Sequence, residues 1–255
     1  MCLIVFALDN TGPYKLVLAA NRDEYFTRPT AAAGFWDDSP TILAGRDLEA
    51  GGTWLGVTRS GKIAAITNFR DPGWQVRSPR SRGKLVADYL RGEQSAADFM
   101  ASLHSTSNRY EGFNLIFGDL QGLHYFSNHG PLSARISAGI HGLSNHLLDS
   151  PWPKVSAAKK KLADLLAAGQ SDPEACFAAM ADHEHYADHL LPDTGIGLER
   201  ERQLSPLFIT GETYGTRSTT LVFIDQTNTI SFRERTFHHR QTASSTREFI
   251  IHVEG

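Results

Sequence analysis

The stretch that most constrains this chain is its beginning. Leu3-Ile4-Val5-Phe6-Ala7-Leu8 is an apolar run of strand length, and Leu16-Val17-Leu18-Ala19-Ala20 is a second. Between them, Asp9-Asn10-Thr11-Gly12-Pro13 carries turn chemistry, so the two runs read as a hairpin. Neither run alternates apolar with polar residues, as a hairpin with one wet face would. The pair is therefore expected to be covered on both faces and to lie inside a sheet, not at its edge.

Two reactive features fall at one end of that hairpin. Cys2 begins the first strand and Asn21-Arg22-Asp23-Glu24 closes the second, and antiparallel pairing makes these neighbours. Cysteine is small enough for Met1 to be removed by an aminopeptidase. Residue 2 would then carry a nucleophilic sulfur together with a free α-amine, whose pKa of about 8 suits it to accept a proton near neutral pH. Arg22 could hold a thiolate or a substrate carboxylate, and Asp23 could hold the ammonium. The same residues read structurally are a small buried thiol and a solvated, ion-paired turn. Spacing leaves both readings open.

The rest of the composition narrows the partners. With 255 residues the chain has ample length for a large core, and its 41% hydrophobic and 21% charged content is that of an ordinary globular protein. A net charge of −3 gives no general reason to expect nucleic acid. Asp9-Asn10 interrupts the first apolar run too early for a membrane span, and no signal-peptide pattern precedes it. Two cysteines, Cys2 and Cys176, do not indicate a disulfide framework, so a reducing cytoplasm is the expected location.

Along the chain, residues 25–49 read as loop. Residues 53–58 and 62–69 form a hairpin around Ser60-Gly61, with Gly51 and Gly52 serving a tight turn or presenting an amide to an oxyanion. A basic loop follows, carrying Arg70, Arg77, Arg80, Arg82 and Lys84 with Trp74 among them. It is either a solvated loop or a lip for an anionic ligand such as a CoA phosphate or a haem propionate. Helical spacing marks Leu85 to Leu90, Ala96 to Leu103, Val155 to Leu166 and, after Asp172-Pro173-Glu174, Cys176 to Met180. That places Cys176 in core packing. Strands are expected over 113–118, 123–126, 136–143, 208–209, 219–225, 229–235 and 247–253. His183, His185 and His189 lie in a polar stretch without zinc-hydrolase register and read as an exposed helix end. No metal site is expected, and His238-His239 is a weaker candidate still. No Cys-x-x-Cys-His is present, which excludes covalent haem attachment but not loose haem binding.

The combination Met1-Cys2, Asn21-Arg22-Asp23-Glu24, Gly51-Gly52-Thr53-Trp54-Leu55-Gly56, Thr67-Asn68-Phe69-Arg70, Gly142-Leu143-Ser144-Asn145 and Gly215-Thr216-Arg217-Ser218-Thr219-Thr220 resembles the NRDE family, which includes the transport and Golgi organization protein 2 proteins. The resemblance spans nearly the whole chain. It implies a single α+β domain over 1–255, a four-layer αββα sandwich of the N-terminal-nucleophile hydrolase type. By pattern alone only α+β follows. In N-terminal-nucleophile hydrolases of the bile-salt and penicillin V type, asparagines at similar strand ends donate to the oxyanion and a late arginine joins the catalytic group. By that resemblance Asn68, Asn145 and Arg217 join Cys2, Arg22 and Asp23 as candidate catalytic residues. Asn21, Glu24, Arg70, Trp74 and Arg77 are the candidates for substrate contact. Two functions follow as expectations. One is hydrolysis of an amide or thioester by Cys2, with no cofactor required. The other is non-catalytic binding of haem or an acyl-CoA or lipid on the same fold.

Overall fold

A computed structural model describes residues 2–9, 12–77, 79–130, 133–170, 172–238 and 243–253; the side chains of Cys2, Ala243 and Ser244 lie outside the description. The chain opens with β1 (Cys2–Leu8) and β2 (Tyr14–Tyr25), followed by β3 (Thr30–Trp36), β4 (Ser39–Asp47), β5 (Leu55–Thr58) and β6 (Ile63–Asn68). Helices α1 (Gly83–Arg91) and α2 (Ala96–Thr106) precede β7 (Phe113–Asp119), β8 (Gly122–Ser127), β9 (Ser133–Arg135) and β10 (Gly139–Leu143). Then come α3 (Pro153–Ala167), α4 (Pro173–Met180), α5 (Leu198–Gln203), β11 (Tyr214–Asp225), β12 (Thr229–Phe237) and β13 (Ala243–His252). The elements divide into two compact units, each an antiparallel sheet with helices of its own.

The first unit is assembled from Met1–Thr27, Ala138–Ser144 and Leu148–Ile250. Its sheet runs β10-β1-β2-β11-β12-β13, so the opening hairpin is interior, as its apolar pattern requires. Leu3, Val5 and Ala7 of β1, with Val17 and Ala19 of β2, pack against Val155, Ala158 and Leu162 of α3 and Cys176, Phe177 and Met180 of α4. Ile4, Phe6 and Leu18, which alternate with them, are buried as well. Helix α4 starts where the sequence asks it to: Asp172 caps it by accepting from the Ala175 amide, and Pro173 occupies the first turn. Cys176 is core, and burial pushes its thiol pKa up to about 11.

The second unit comprises Arg28–Ser137, Asn145–Leu147 and Ile251–Gly255. Its sheet runs β3 through β9 in sequence order, a meander in which every neighbour is antiparallel. Leu85, Val86, Tyr89 and Leu90 of α1, and Phe99 and Leu103 of α2, pack on Ile42, Ala64, Leu115 and Phe117. The Gly51-Gly52 pair has two separate reasons. Gly51 turns at φ +74°, and a Cβ on Gly52 would lie 2.4 Å from the Gly83 carbonyl carbon at the start of α1. The Gly51 amide donates to the Asp47 carbonyl at 2.8 Å and so is not presented to a ligand.

Three sequence expectations are corrected here. Residues 25–49 hold β3 and β4, not loop. Register shifts after Ala31 and Phe35 destroy the two-residue alternation, while the Arg28–Asp47 ion pair at 2.8 Å and the Trp36 indole bond to the Ala44 carbonyl at 3.2 Å hold the hairpin. Phe208-Ile209 is not a strand. Ile209 instead exchanges bonds with Thr216, giving its amide to the Thr216 hydroxyl at 2.9 Å and accepting the Thr216 amide at 3.0 Å. The histidine stretch is not a helix end, since α4 stops at Met180 and only a short 3-10 turn, Asp188–Leu190, follows. His183 bonds to the Thr210 hydroxyl and His185 to the Arg202 carbonyl, so the two are held by different segments; His239 lies outside the described residues.

Candidate functional site

Register gathers the candidates of the first unit. In β1 and β2, Cys2 is paired with Arg22 and Leu3 with Asn21. Across β2 and β11, Asn21 is paired with Thr219, Arg22 with Ser218 and Asp23 with Thr216. Arg217 is the additional residue of a bulge between Thr216 and Ser218. Cys2, Arg22 and Ser218 thus form one line across three strands. The Cys2 thiol, and the fate of Met1, lie outside the described residues.

The four polar residues closing β2 divide by role. Asn21 is fully buried; its amide donates to the Met180 carbonyl at 2.9 Å and the Leu207 carbonyl at 2.8 Å, and its oxygen accepts from the Thr219 hydroxyl at 2.7 Å. These bonds fill both donors, so Asn21 ties the end of α4 to the sheet. Arg22 is buried at 6% exposure on the Cys2 line. Asp23 is buried at 2% exposure and accepts from the Thr216 hydroxyl at 2.7 Å. Burial raises its carboxyl pKa, opposed by nearby positive charge including Lys154 and Arg22 and by the Thr216 hydroxyl bond. Glu24 is partly buried and accepts the Tyr25 amide at 2.8 Å.

Arg217 is close enough to the β2 end to feel its charges. Its guanidinium donates to the Tyr25 carbonyl at 2.7 Å and lies 5.7 Å from the Phe26 ring centroid. Burial and the positive charge of Arg22 lower its pKa, while Glu24 opposes the shift.

The second unit brings together three other candidates. Asn145 is fully buried, donating its amide to the Asn68 carbonyl at 2.9 Å and accepting the Arg70 amide at 2.8 Å and its guanidinium at 3.4 Å. Asn68 closes β6 and is half-buried. Arg70 is 9% exposed, so the residue expected on a basic lip is an internal brace for Asn145. Trp74 and Arg77 are exposed. The Trp74 ring lies 4.4 Å from His129, which stacks on Phe69 at 4.2 Å and bonds to Asp71 at 3.0 Å.

Sequence reasoning passed over Thr216, Ser218 and Lys154. The first two stand within a quoted motif, but the bulge that aligns them with Asp23 and Arg22 has no sequence mark. Lys154 did carry a signal: it falls on the same helical stripe as Val155, Ala158 and Leu162. It is buried at 3% exposure, with its ammonium donating to the Leu204 carbonyl at 3.0 Å.

The Transport and Golgi organisation 2 family model matches residues 1–239. The Transport and Golgi organization 2 homolog of Mus musculus is 32% identical, covering 98% of this chain and 99% of its own, and the Drosophila melanogaster protein is 30% identical with 92% of each covered. Among solved structures, a Caenorhabditis elegans N-acylethanolamine-hydrolyzing acid amidase ortholog aligns with a TM-score of 0.52 at 10% identity, covering 86% of this chain and 92% of that one. At that identity the likeness speaks for fold, and the fold is α+β of the N-terminal-nucleophile hydrolase type; two helix-bearing antiparallel sheets are the inventory of an αββα sandwich. Among the described residues no helix is long and apolar enough to cross a membrane. With its matching family model and with relatives aligned over almost their full lengths, this chain belongs to the Transport and Golgi organisation 2 family.

Proposed function

We propose that this protein is an N-terminal-nucleophile-type hydrolase of an amide or thioester bond, with Cys2 as nucleophile after removal of Met1. The carrying observation is the pairing of Cys2 with the buried Arg22, beside a buried Asp23. In the reaction, the α-amine of Cys2 takes the thiol proton as sulfur bonds to the acyl carbon. The tetrahedral intermediate collapses, its carbon–nitrogen or carbon–sulfur bond breaks, and the ammonium protonates the leaving group. Water then attacks the thioester, giving its proton to the amine and releasing the acid and the thiol. Arg22 favours the thiolate. Asp23, whose ionised form is disfavoured by burial, gains most from an ammonium placed beside it. The amides of Asn68 and Asn145, as oxyanion donors, and Arg217 enter this proposal by family resemblance. Acyl amides are the first substrates to try, because the Caenorhabditis elegans protein of like fold is an N-acylethanolamine-hydrolyzing acid amidase ortholog.

Intact mass reports Met1 removal, and iodoacetamide labelling across pH reports the thiol. Loss of Met1, a Cys2 pKa well below about 8.5, and a trapped acyl-enzyme absent from Cys2→Ala are expected. Retained Met1, or a thiol that titrates at its ordinary value, rejects the reading.

A second reading, non-catalytic binding of haem or an acyl-CoA, is favoured by one observation: Trp74 is 39% exposed on a loop with exposed Arg77 and Arg80. Trp74→Ala with Arg77→Ala should then abolish ligand binding, measured by titration calorimetry, whereas Cys2→Ala should leave it unchanged.

A further inference from the structure

The face of β11 that carries Ser218 is divided: Val222 and Ile224, with Phe232 and Ile230 opposite them on β12, are hydrocarbon, and Ser218 and Thr220, opposite Thr236 and Glu234, make its polar end. Glu234, paired with Thr220, is 1% exposed and accepts from the Thr220 hydroxyl at 3.5 Å. Ser218 is 3% exposed, and its hydroxyl has no hydrogen-bond partner among the described residues. A buried hydroxyl without a partner is uncommon in a native fold and calls for a ligand, an ordered water or local strain to account for it. Ser218 is also the register partner of Arg22, which is the register partner of Cys2.

We infer that Ser218 is a substrate-contacting residue. Together with Arg22, it receives a carboxylate carried by the acyl group, so the preferred substrates are acyl donors bearing a second, anionic oxygen group. Adjacent strands lie about 4.8 Å apart, which puts that carboxylate about 5–10 Å from the carbon that Cys2 attacks. A hydroxyl donor and a guanidinium charge on paired residues suit a carboxylate, and a plain alkyl chain leaves the Ser218 hydroxyl unanswered. Arg217, whose pKa is lowered by burial first and by the charge of Arg22 second, is a further cation near the end of β2. The inference rests on the hydrolase reading for the position of the scissile bond, but contact between Ser218 and ligand is measurable without turnover.

The test pairs a hexanoyl thioester with the hexanedioyl monothioester of the same thiol, and hexanamide with hexanedioic acid monoamide for binding to Cys2→Ala. Wild-type kcat/KM should favour the hexanedioyl ester by about 10-fold or more, the scale of a charge-assisted hydrogen bond. Ser218→Ala should collapse that ratio and the matching ratio of dissociation constants, and Ser218→Thr, which keeps the hydroxyl, should retain most of both. Thermal unfolding of each variant identifies misfolding, and the Ser218→Thr result then carries the comparison. Equal binding of the two amides, or a ratio untouched by Ser218→Ala, overturns the inference and leaves Cys2 chemistry standing. A binding ratio lost in Ser218→Ala, in a protein without Cys2-dependent turnover, supports Ser218 and condemns the hydrolase reading alone.

Discussion

At the scale of single residues, Asn21, Arg22 and Asp23 are consecutive yet do three different things. Asn21→Ala removes the partner of two buried carbonyls and a threonine hydroxyl, and should destabilise the fold by about 2–4 kcal/mol in denaturant titrations. Asp23 works in the other direction. Its folded pKa is raised above 3.8, so the native state binds its proton more tightly than the unfolded chain does, and ionisation weakens the fold as pH rises through the folded value. Asp23→Asn keeps an acceptor for the Thr216 hydroxyl and should raise the thermal midpoint at pH 7 to 8 by about 2–8 °C while abolishing any Cys2 activation. That advantage should vanish as pH falls through the raised value, because the wild-type carboxyl is then neutral too. Sequence marked all three residues as chemically loaded but could not apportion them, since alternation around a bulge is decided by pairing.

Among the elements, those with undisturbed periodicity were legible: the opening hairpin, the Asp172-capped α4, and the stripes of α1 and α3. Strands β3 and β4 were not, because register shifts break the repeat that betrays a strand. The glycine pair before β5 was seen, but one of its two reasons was not. A turn explains Gly51, whereas only the folded chain reveals that Gly52 is pressed on the backbone that opens α1. Gly52→Ala must push a main-chain segment aside and should cost about 3 kcal/mol or more by chemical denaturation; Gly51→Ala, which adds a Cβ in open space at positive φ, should cost about 1–2 kcal/mol.

Across the whole molecule, the first sheet is threaded by distant parts of the sequence. Its interior strands β1 and β2 come from the first residues, and they separate β10 from β11 in the sheet. Residues 138–253 alone therefore leave β10 without a neighbouring strand and β11 unpaired along one side. That fragment should show no cooperative unfolding by circular dichroism, and a synthetic peptide of residues 2–27 should restore it. The candidate site was readable at this scale through one fact, that a chain start and a strand end become neighbours in a hairpin. The role of Asn145 as a hub for Asn68 and Arg70 was not, because it depends on contacts between residues 75 and 77 positions apart.

The loop-out at Arg217 has an unusual corollary. Excising a residue from a buried strand ordinarily slides everything beyond it onto the wrong side of the sheet. Here Thr216 already faces Asp23 and Ser218 already faces Arg22, so shortening the chain at 217 would let those partners meet in an even ladder. A Δ217 protein should melt within a few degrees of its parent, while Δ219 should fail to assemble. One guanidinium could then be taken out, side chain and link together, from an otherwise undisturbed scaffold.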